Sequence, residues 1–138
     1  MIRITQYIQD HFTEVERLWK EVFPDDPERN RASLAIPVKL AVKDGLFWVA
    51  LDVNAGVVGT IMAGWDGHRG WLYSVAVAPS HRRNGIGGQL VDTAVHELKR
   101  RGCSKVNLQV RAGNRVVAKF YETLGFAAEP RVSMGREL

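Results

Sequence analysis

Arg82, Arg83, Asn84, Gly85, Gly87 and Gly88 fall within seven residues. They lie where an apolar run, Val75-Ala76-Val77-Ala78, gives way to a helical pattern beginning at Ile86. Glycines at such a junction let the backbone turn tightly and bring its amides close to a ligand. The first turn of a helix carries unpaired N–H donors and about half a positive charge, so the segment is an anion site suited to phosphate. The two arginines add charge at the same place. Two familiar phosphate loops fail on spacing. Gly87-Gly88-Gln89 lacks the Gly-Lys-Ser/Thr ending of a Walker A loop. A dinucleotide fingerprint starting at Gly85 needs glycine at position 90, where the chain has Leu90, and an acid near the end of the next strand, where it has Arg111.

Other chemistries are thinly supplied. A lone Cys103 can form neither an internal disulfide nor a cysteine-rich zinc site, and reads as a small buried hydrophobe. His11, His68, His81 and His96 are too far apart for a histidine pair on one helix, so no metal is expected. Net charge is +4, but residues 82–119 carry nine Lys/Arg against Asp92 and Glu97, while residues 1–81 sum to −2. That asymmetry suggests a polyanion on one side and a basic group on the other. The acidic stretch Asp10–Glu28, with seven acids, could draw in a cationic amine.

The elements that position these residues follow from length and periodicity. The chain has 138 residues, 46% hydrophobic and 25% charged, which suits one domain over 1–138. Its apolar runs are far short of the roughly 20 residues that cross a bilayer. The N-terminus lacks a signal-peptide pattern, so a cytoplasmic protein without a membrane partner is expected. Arg3–Ile8 reads as a first strand, Asp10 as the cap of a helix carrying Phe12, Val15, Leu18, Trp19 and Val22, and Asp26-Pro27 as the start of a second helix that Pro37 kinks or ends. Leu46–Leu51, Val57–Trp65 and Trp71–Ala78, joined by tight turns, form an antiparallel meander. A helix follows with Ile86, Leu90, Val91, Ala94, Val95 and Leu98 on one stripe. Lys105–Arg111 is a strand, Arg115–Leu124 a helix and Arg131–Glu137 a last strand. The order β-α-α-β-β-β-α-β-α-β is a mixed α/β layer fold with a parallel crossover.

The motifs resemble one family. Arg82-Arg83-Asn84-Gly85-Ile86-Gly87 is similar to the Q/R-x-x-G-x-G/A acetyl-CoA loop of the GNAT superfamily of N-acetyltransferases, preceded by the V-A-V-x-P strand end. Leu108-Gln109-Val110-Arg111-Ala112-Gly113-Asn114 resembles the family's fifth strand and its following Asn. Ala118–Phe126 resembles its A-x-x-x-Y-x-x-x-G-F helix. Gly64-Trp65-Asp66-Gly67-His68-Arg69-Gly70 is similar to a hairpin of small bacterial members.

The resemblance implies that acetyl-CoA is the co-substrate, its pyrophosphate on the amides of Arg83, Asn84, Gly85, Ile86, Gly87 and Gly88, with Arg82 beside them. The pantetheine arm would run along Val75, Ala76 and Val77, with the amide of Val75 or Val77 as oxyanion donor. Asn114 would hydrogen-bond the cofactor, and Tyr121 would protonate the departing thiolate. Asp66, His68 and Tyr73 are candidates for base or acceptor contact. Gln109 stands where ribosomal-protein acetylases of the superfamily carry a catalytic Glu, which favours a small amine or amino acid over a protein N-terminus or lysine as acceptor. Monomer and homodimer both fit. Two other readings compete: an acyl-CoA-binding regulator of the same fold, and a nucleic-acid-binding module built on Arg82-Arg83, Lys99-Arg100-Arg101, Lys105, Arg111 and Arg115. The second predicts salt-steep DNA or RNA binding; the preferred reading involves no nucleic acid.

Overall fold

The computed structural model describes all 138 residues, Met1–Leu138. The chain divides into two units, Met1–Leu108 and Gln109–Leu138. The first unit holds strands β1 (Ile2–Gln6), β2 (Phe47–Asp52), β3 (Gly56–Trp65), β4 (Gly70–Val77) and β5 (Val106–Asn107) and helices α1 (Phe12–Val22), α2 (Ala32–Val42) and α3 (Ile86–Arg100). The strands lie in sequence order in one five-stranded sheet. Pairing is antiparallel from β1 to β4, and β4 pairs with β5 in parallel.

β3 is central, and its near-continuous apolar run Val57–Ala63 is buried because both faces are covered. Strand alternation divides the core. Phe47, Val49, Val57, Met62 and Ala76 face α1 and α2, against Val15, Leu18, Trp19 and Ile36. The alternate positions meet the stripe Ile86, Leu90, Val91, Ala94 and Leu98 of α3. Each of these is fully or nearly fully buried, worth roughly 1.5–3 kcal/mol per large aliphatic. The stripe expected from the 3.6 period is thus the face that packs, although Val95 is only partly covered. Gly70 fixes the start of β4: a Cβ there would stand 2.9 Å from Cys103 Sγ and 3.0 Å from Leu98 Cδ1, so only glycine lets β5 and the end of α3 close in.

Several local expectations are corrected. Asp10 does not cap α1; a 3₁₀ turn at Gln9–His11 precedes the helix, and the Ile8 amide donates to His11 Nδ1 (3.1 Å). Asp26-Pro27 does not start α2 either. The Asn30 amide closes a 3₁₀ turn onto the Pro27 carbonyl (2.9 Å), Arg31 is extended, and the helix begins at Ala32. Pro37 does not end α2, which runs on to Val42. Pro37 is on the exposed side, where solvent can serve the carbonyl whose helical donor it lacks.

β5 is only Val106–Asn107, not Lys105–Arg111. No strand forms over Arg131–Glu137, so the observed order ends at β-α. Its alternating apolar residues Val132 and Met134 are 87% and 90% exposed. With no strand paired alongside and nothing buried, the extended pattern gains no ladder. The second unit contains α4 (Arg115–Thr123), capped by Asn114, whose side chain accepts from the Val117 amide (3.2 Å). Gly125, at φ +93°, ends it, with its amide on the Glu122 carbonyl.

Candidate functional site

Beyond Trp71, paired with Asn107, β4 has no strand beside it on its outer edge. Which backbone groups that edge offers follows from the ladder on the other side. The Ala78 amide donates to the Val58 carbonyl, and Ala76 lies opposite Thr60. Amides alternate in direction along a strand, so those of Val75 and Val77 point away from β3. The Val77 carbonyl agrees, since it accepts from Arg82 Nε at 3.0 Å. Ala76 differs from its neighbours, since it lies in the ladder opposite Thr60 and its side chain is buried. A bulge interrupts the strand, with Tyr73 opposite Met62 but Ala76 opposite Thr60. Ser74, inside it, lies in the left-handed region at φ +51°.

The phosphate-type loop follows directly. A 3₁₀ turn at Pro79–His81 is pinned to the β2–β3 hairpin by His81 Nε2 and Asp52 Oδ2 (2.8 Å), while His81 Nδ1 meets Ser80 Oγ (2.8 Å). The Asn54 amide, and next His81, hold the Asp52 carboxyl below the usual carboxylate range. Arg83 (φ +65°) and Gly85 (φ +78°) then both turn left-handed, and Gly85 is the N-cap of α3. The helical ladder opens with the Gln89 amide on the Gly85 carbonyl (3.0 Å). The preceding amides of Ile86, Gly87 and Gly88 belong to the first turn, which has no intrahelical acceptors. No side chain caps them, and a Cβ built on Gly85 meets no atom within 4 Å. These first-turn amides thus have no capping side chain, and the space beside Gly85 is open.

The charge complement is smaller than the sequence suggests. Lys99, Arg100 and Arg101 lie at the far end of α3, a helix of fifteen residues. At the ordinary helical rise that is about 20 Å from the loop. Arg100 and Arg101 both pair with Glu97 at 2.7 Å, which pulls that carboxyl down to about 2. Local positive charge at the loop comes from Arg82, Arg83 and the helix end. Part of the acidic stretch is structural too: Glu14 Oε1 accepts from the Val57 amide (3.0 Å), and Glu16 faces Lys20 at 3.9 Å.

The hairpin candidates separate. Asp66 Oδ1 accepts from the amides of His68 and Arg69, each at 2.7 Å, and these bonds, the Arg69 one foremost, lower its carboxyl. This is turn chemistry, and it makes Asp66 a weak base. His68 is exposed in the same turn. Tyr73 lies three residues into β4 from Gly70, about 10 Å along the strand. It is 42% exposed and next to the bulge. Beneath it is a residue that motif reading missed: Lys39, 7% exposed, with Nζ bonded to Asp44 (2.8 Å) and the Ala63 carbonyl and 5.4 Å from the Tyr73 ring centre. The signal was a lysine on the Ala32-Ile36-Lys39 stripe at helical spacing.

In the second unit, Asn114 is the α4 cap already described. Tyr121 is 8% exposed, edge-on to Phe120 and Phe126 at 5.0 and 5.7 Å. Burial pushes its phenol up to about 12, so it is neutral at physiological pH.

A strand unpaired on one edge beyond Trp71 and followed by a glycine-opened helix, in this strand order, agrees with comparison to known proteins. The sequence pattern of the Acetyltransferase (GNAT) family matches residues 6–126. The chain belongs to the GNAT family. A protein named acetyltransferase from Yersinia pestis (strain Pestoides F) is 38% identical over 141 residues, covering 99% of this GNAT chain and 94% of that protein. Among solved structures, a transcriptional regulator from Bacillus halodurans C-125 superposes with a TM-score of 0.81 at 21% identity, covering all of both chains. AAC(6')-Iy in complex with a CoA-S-monomethyl-acetylneamine bisubstrate analogue gives 0.80 at 19%, covering 100% and 99%. The NatC complex bound to Gag peptide and CoA gives 0.79 at 23%, covering 94% and 87%. At these identities the structures speak to the GNAT fold alone.

Proposed function

We propose that this chain moves the acetyl group of acetyl-CoA onto a primary amine by direct attack within a ternary complex. One observation carries the reading: the open β4 edge, with the Val75 and Val77 amides outward, runs straight into uncapped amides at the start of α3. The diphosphate would sit on the amides of Arg83 to Gly88, with the arginines of the loop neutralising it. The pantetheine arm would bond to the edge groups of Val75 and Val77. The amine nitrogen attacks the thioester carbon, the carbon–sulfur bond breaks, the amine loses a proton and the thiolate gains one. An edge amide would donate a hydrogen bond to the carbonyl oxygen as charge builds on it, an effect of about 3–4 kcal/mol.

Tyr121 is the proposed donor to the thiolate, supported by its place in the A-x-x-x-Y motif and by burial that keeps it neutral. A phenol this far raised is a far weaker acid than a thiol, at roughly 8.5. Its contribution is therefore a hydrogen bond to the sulfur as the bond breaks, with the final proton delivered later. Asn114 would contact the co-substrate through groups its cap leaves over. Tyr73 is the proposed acceptor-side contact, ahead of His68. The family match spans both units, which supports 1–138 acting as one acetyltransferase domain.

A small amine or amino acid is the proposed acceptor, because Gln109 replaces the Glu of the protein-acetylating pattern. The test is a panel of aminoglycosides, polyamines, amino acids and peptide N-termini with acetyl-CoA and free-thiol detection. Turnover with a small amine supports the proposal. Turnover confined to peptide N-termini overturns the acceptor class. Tight acetyl-CoA binding with no turnover on any amine replaces it with the acyl-CoA-binding regulator.

A further inference from the structure

We propose that Thr60, held by Trp19, is a positioning residue that aims the Val75 amide at the thioester carbonyl; this rests on the acetyl-transfer reading above. Thr60 is fully buried at the centre of β3, and Trp19 of α1 is 4% exposed. Trp19 Nε1 donates to Thr60 Oγ1 at 2.9 Å, and Thr60 Oγ1 donates to the Ser74 carbonyl at 2.9 Å. A threonine hydroxyl has one proton. Because the indole can only donate, the hydroxyl must accept from Trp19 and spend its proton on Ser74, so the relay runs one way from α1 through β3 to β4.

The acceptor is the bulge residue. Ser74 and Val75 together face the single residue Ile61. Ser74 adopts φ +51°, a conformation unfavourable for an L-residue, and here the Thr60 bond to its carbonyl helps to hold it. The Ser74 carbonyl and the Val75 amide belong to one planar trans peptide group, in which C=O and N–H point in opposite directions. Drawing the carbonyl inward to Thr60 therefore turns the Val75 amide outward, to the open edge of β4. The same bond polarises the peptide and makes that amide a stronger donor. The Val77 amide shares its peptide with the Ala76 carbonyl, which lies in the ordinary ladder opposite Thr60, so strand pairing and not a side-chain relay sets its direction. Of the two edge amides, Val75 is thus the oxyanion donor and Val77 a pantetheine contact.

The test is the infrared stretch of carbonyl-¹³C acetyl-CoA bound to the full chain, with affinity measured by calorimetry on the same samples. In the parent the bound carbonyl shifts to lower frequency than in free acetyl-CoA. Thr60→Val should lose most of that shift while affinity changes by less than about 3-fold, and Thr60→Ser should restore it. Trp19→Phe, which keeps the aromatic packing and frees the hydroxyl to rotate, should broaden and partly reverse the shift; it carries the test if Thr60→Val does not fold. A folded Thr60→Val or Trp19→Phe variant with the parent's carbonyl band overturns the proposal alone. A parent that binds acetyl-CoA with no carbonyl shift, or does not bind it, brings down the transfer reading together with the relay.

Discussion

Replacing Gly85 with alanine probes the phosphate-type loop with little structural ambiguity. Gly85 sits at φ +78° as the N-cap of α3, and its Cβ position has no neighbour within 4 Å. Alanine therefore clashes with nothing, and the cost is conformational, about 1–2 kcal/mol for holding an L-residue left-handed. The loop is exposed, so the variant can relax locally and leave that cost to be met when a ligand reorders the amides. Expressed wholly in binding, about 1–2 kcal/mol weakens acetyl-CoA affinity about 5–30-fold. Gly67→Ala is the control: φ is +89°, also with no atom within 4 Å, but the position closes the β3–β4 hairpin, where relaxation would break the register. It should lose about 1–2 kcal/mol of stability, several degrees in thermal midpoint, with affinity intact. The assay is calorimetric titration with acetyl-CoA beside thermal melts of both variants. A Gly85→Ala protein that binds acetyl-CoA like the parent would show that these amides are not the cradle.

Other outcomes follow from individual contacts. Desolvation raises the Tyr121 phenol to about 12 from an ordinary 10.0, so the folded state holds its proton more tightly than the unfolded state. The associated stability, about 2–3 kcal/mol, is fully present below about pH 10 and lost as pH rises towards about 12. Tyr121→Phe should flatten that alkaline limb in denaturant titrations. In assays the same variant should keep acetyl-CoA affinity and lose turnover. Lys39→Met leaves Asp44 and the Ala63 carbonyl without their buried partner, but Asp44 is partly exposed and still accepts from the Leu46 amide. The expected loss is about 2 kcal/mol, below that of a fully buried pair, and Asp44→Asn in addition should recover part of it by urea unfolding. Gly70→Ala forces a Cβ to within 3.0 Å of Cys103 and Leu98. It should destabilise by about 1–3 kcal/mol in the same measurement.

The parts legible in the sequence are those governed by local rules. The stripe from Ile86 to Leu98 finds its helix because burial there repeats with the helical period. The three meander strands keep nearly their expected ends because turn residues bound them. Gly85 and its neighbours announce an uncapped helix start. What fails depends on partners distant in sequence. Val132 and Met134 alternate like a strand but have none to pair with, and Lys105–Arg111 keeps the ladder only at Val106–Asn107. Asp10 is taken up in a 3₁₀ turn closed by the Ile8 amide on the His11 ring, so His11 becomes the N-cap residue of α1, with no side-chain bond to that helix. The clustered basic residues look like one patch until a fifteen-residue helix puts Lys99, Arg100 and Arg101 at the opposite end from the loop. The bulge at Ser74 and the Trp19–Thr60 relay have no local signature, since three elements have to meet before either exists.

The most direct measurement is an amide-resolved NMR titration of the full chain with coenzyme A. The largest shifts should fall on Arg83, Asn84, Gly85, Ile86, Gly87 and Gly88, followed by Val75 and Val77, while Ala76, committed to the ladder, moves less. Saturating ligand with those loop amides unmoved, or with the main response at the Lys99–Arg101 end of α3, would contradict that placement.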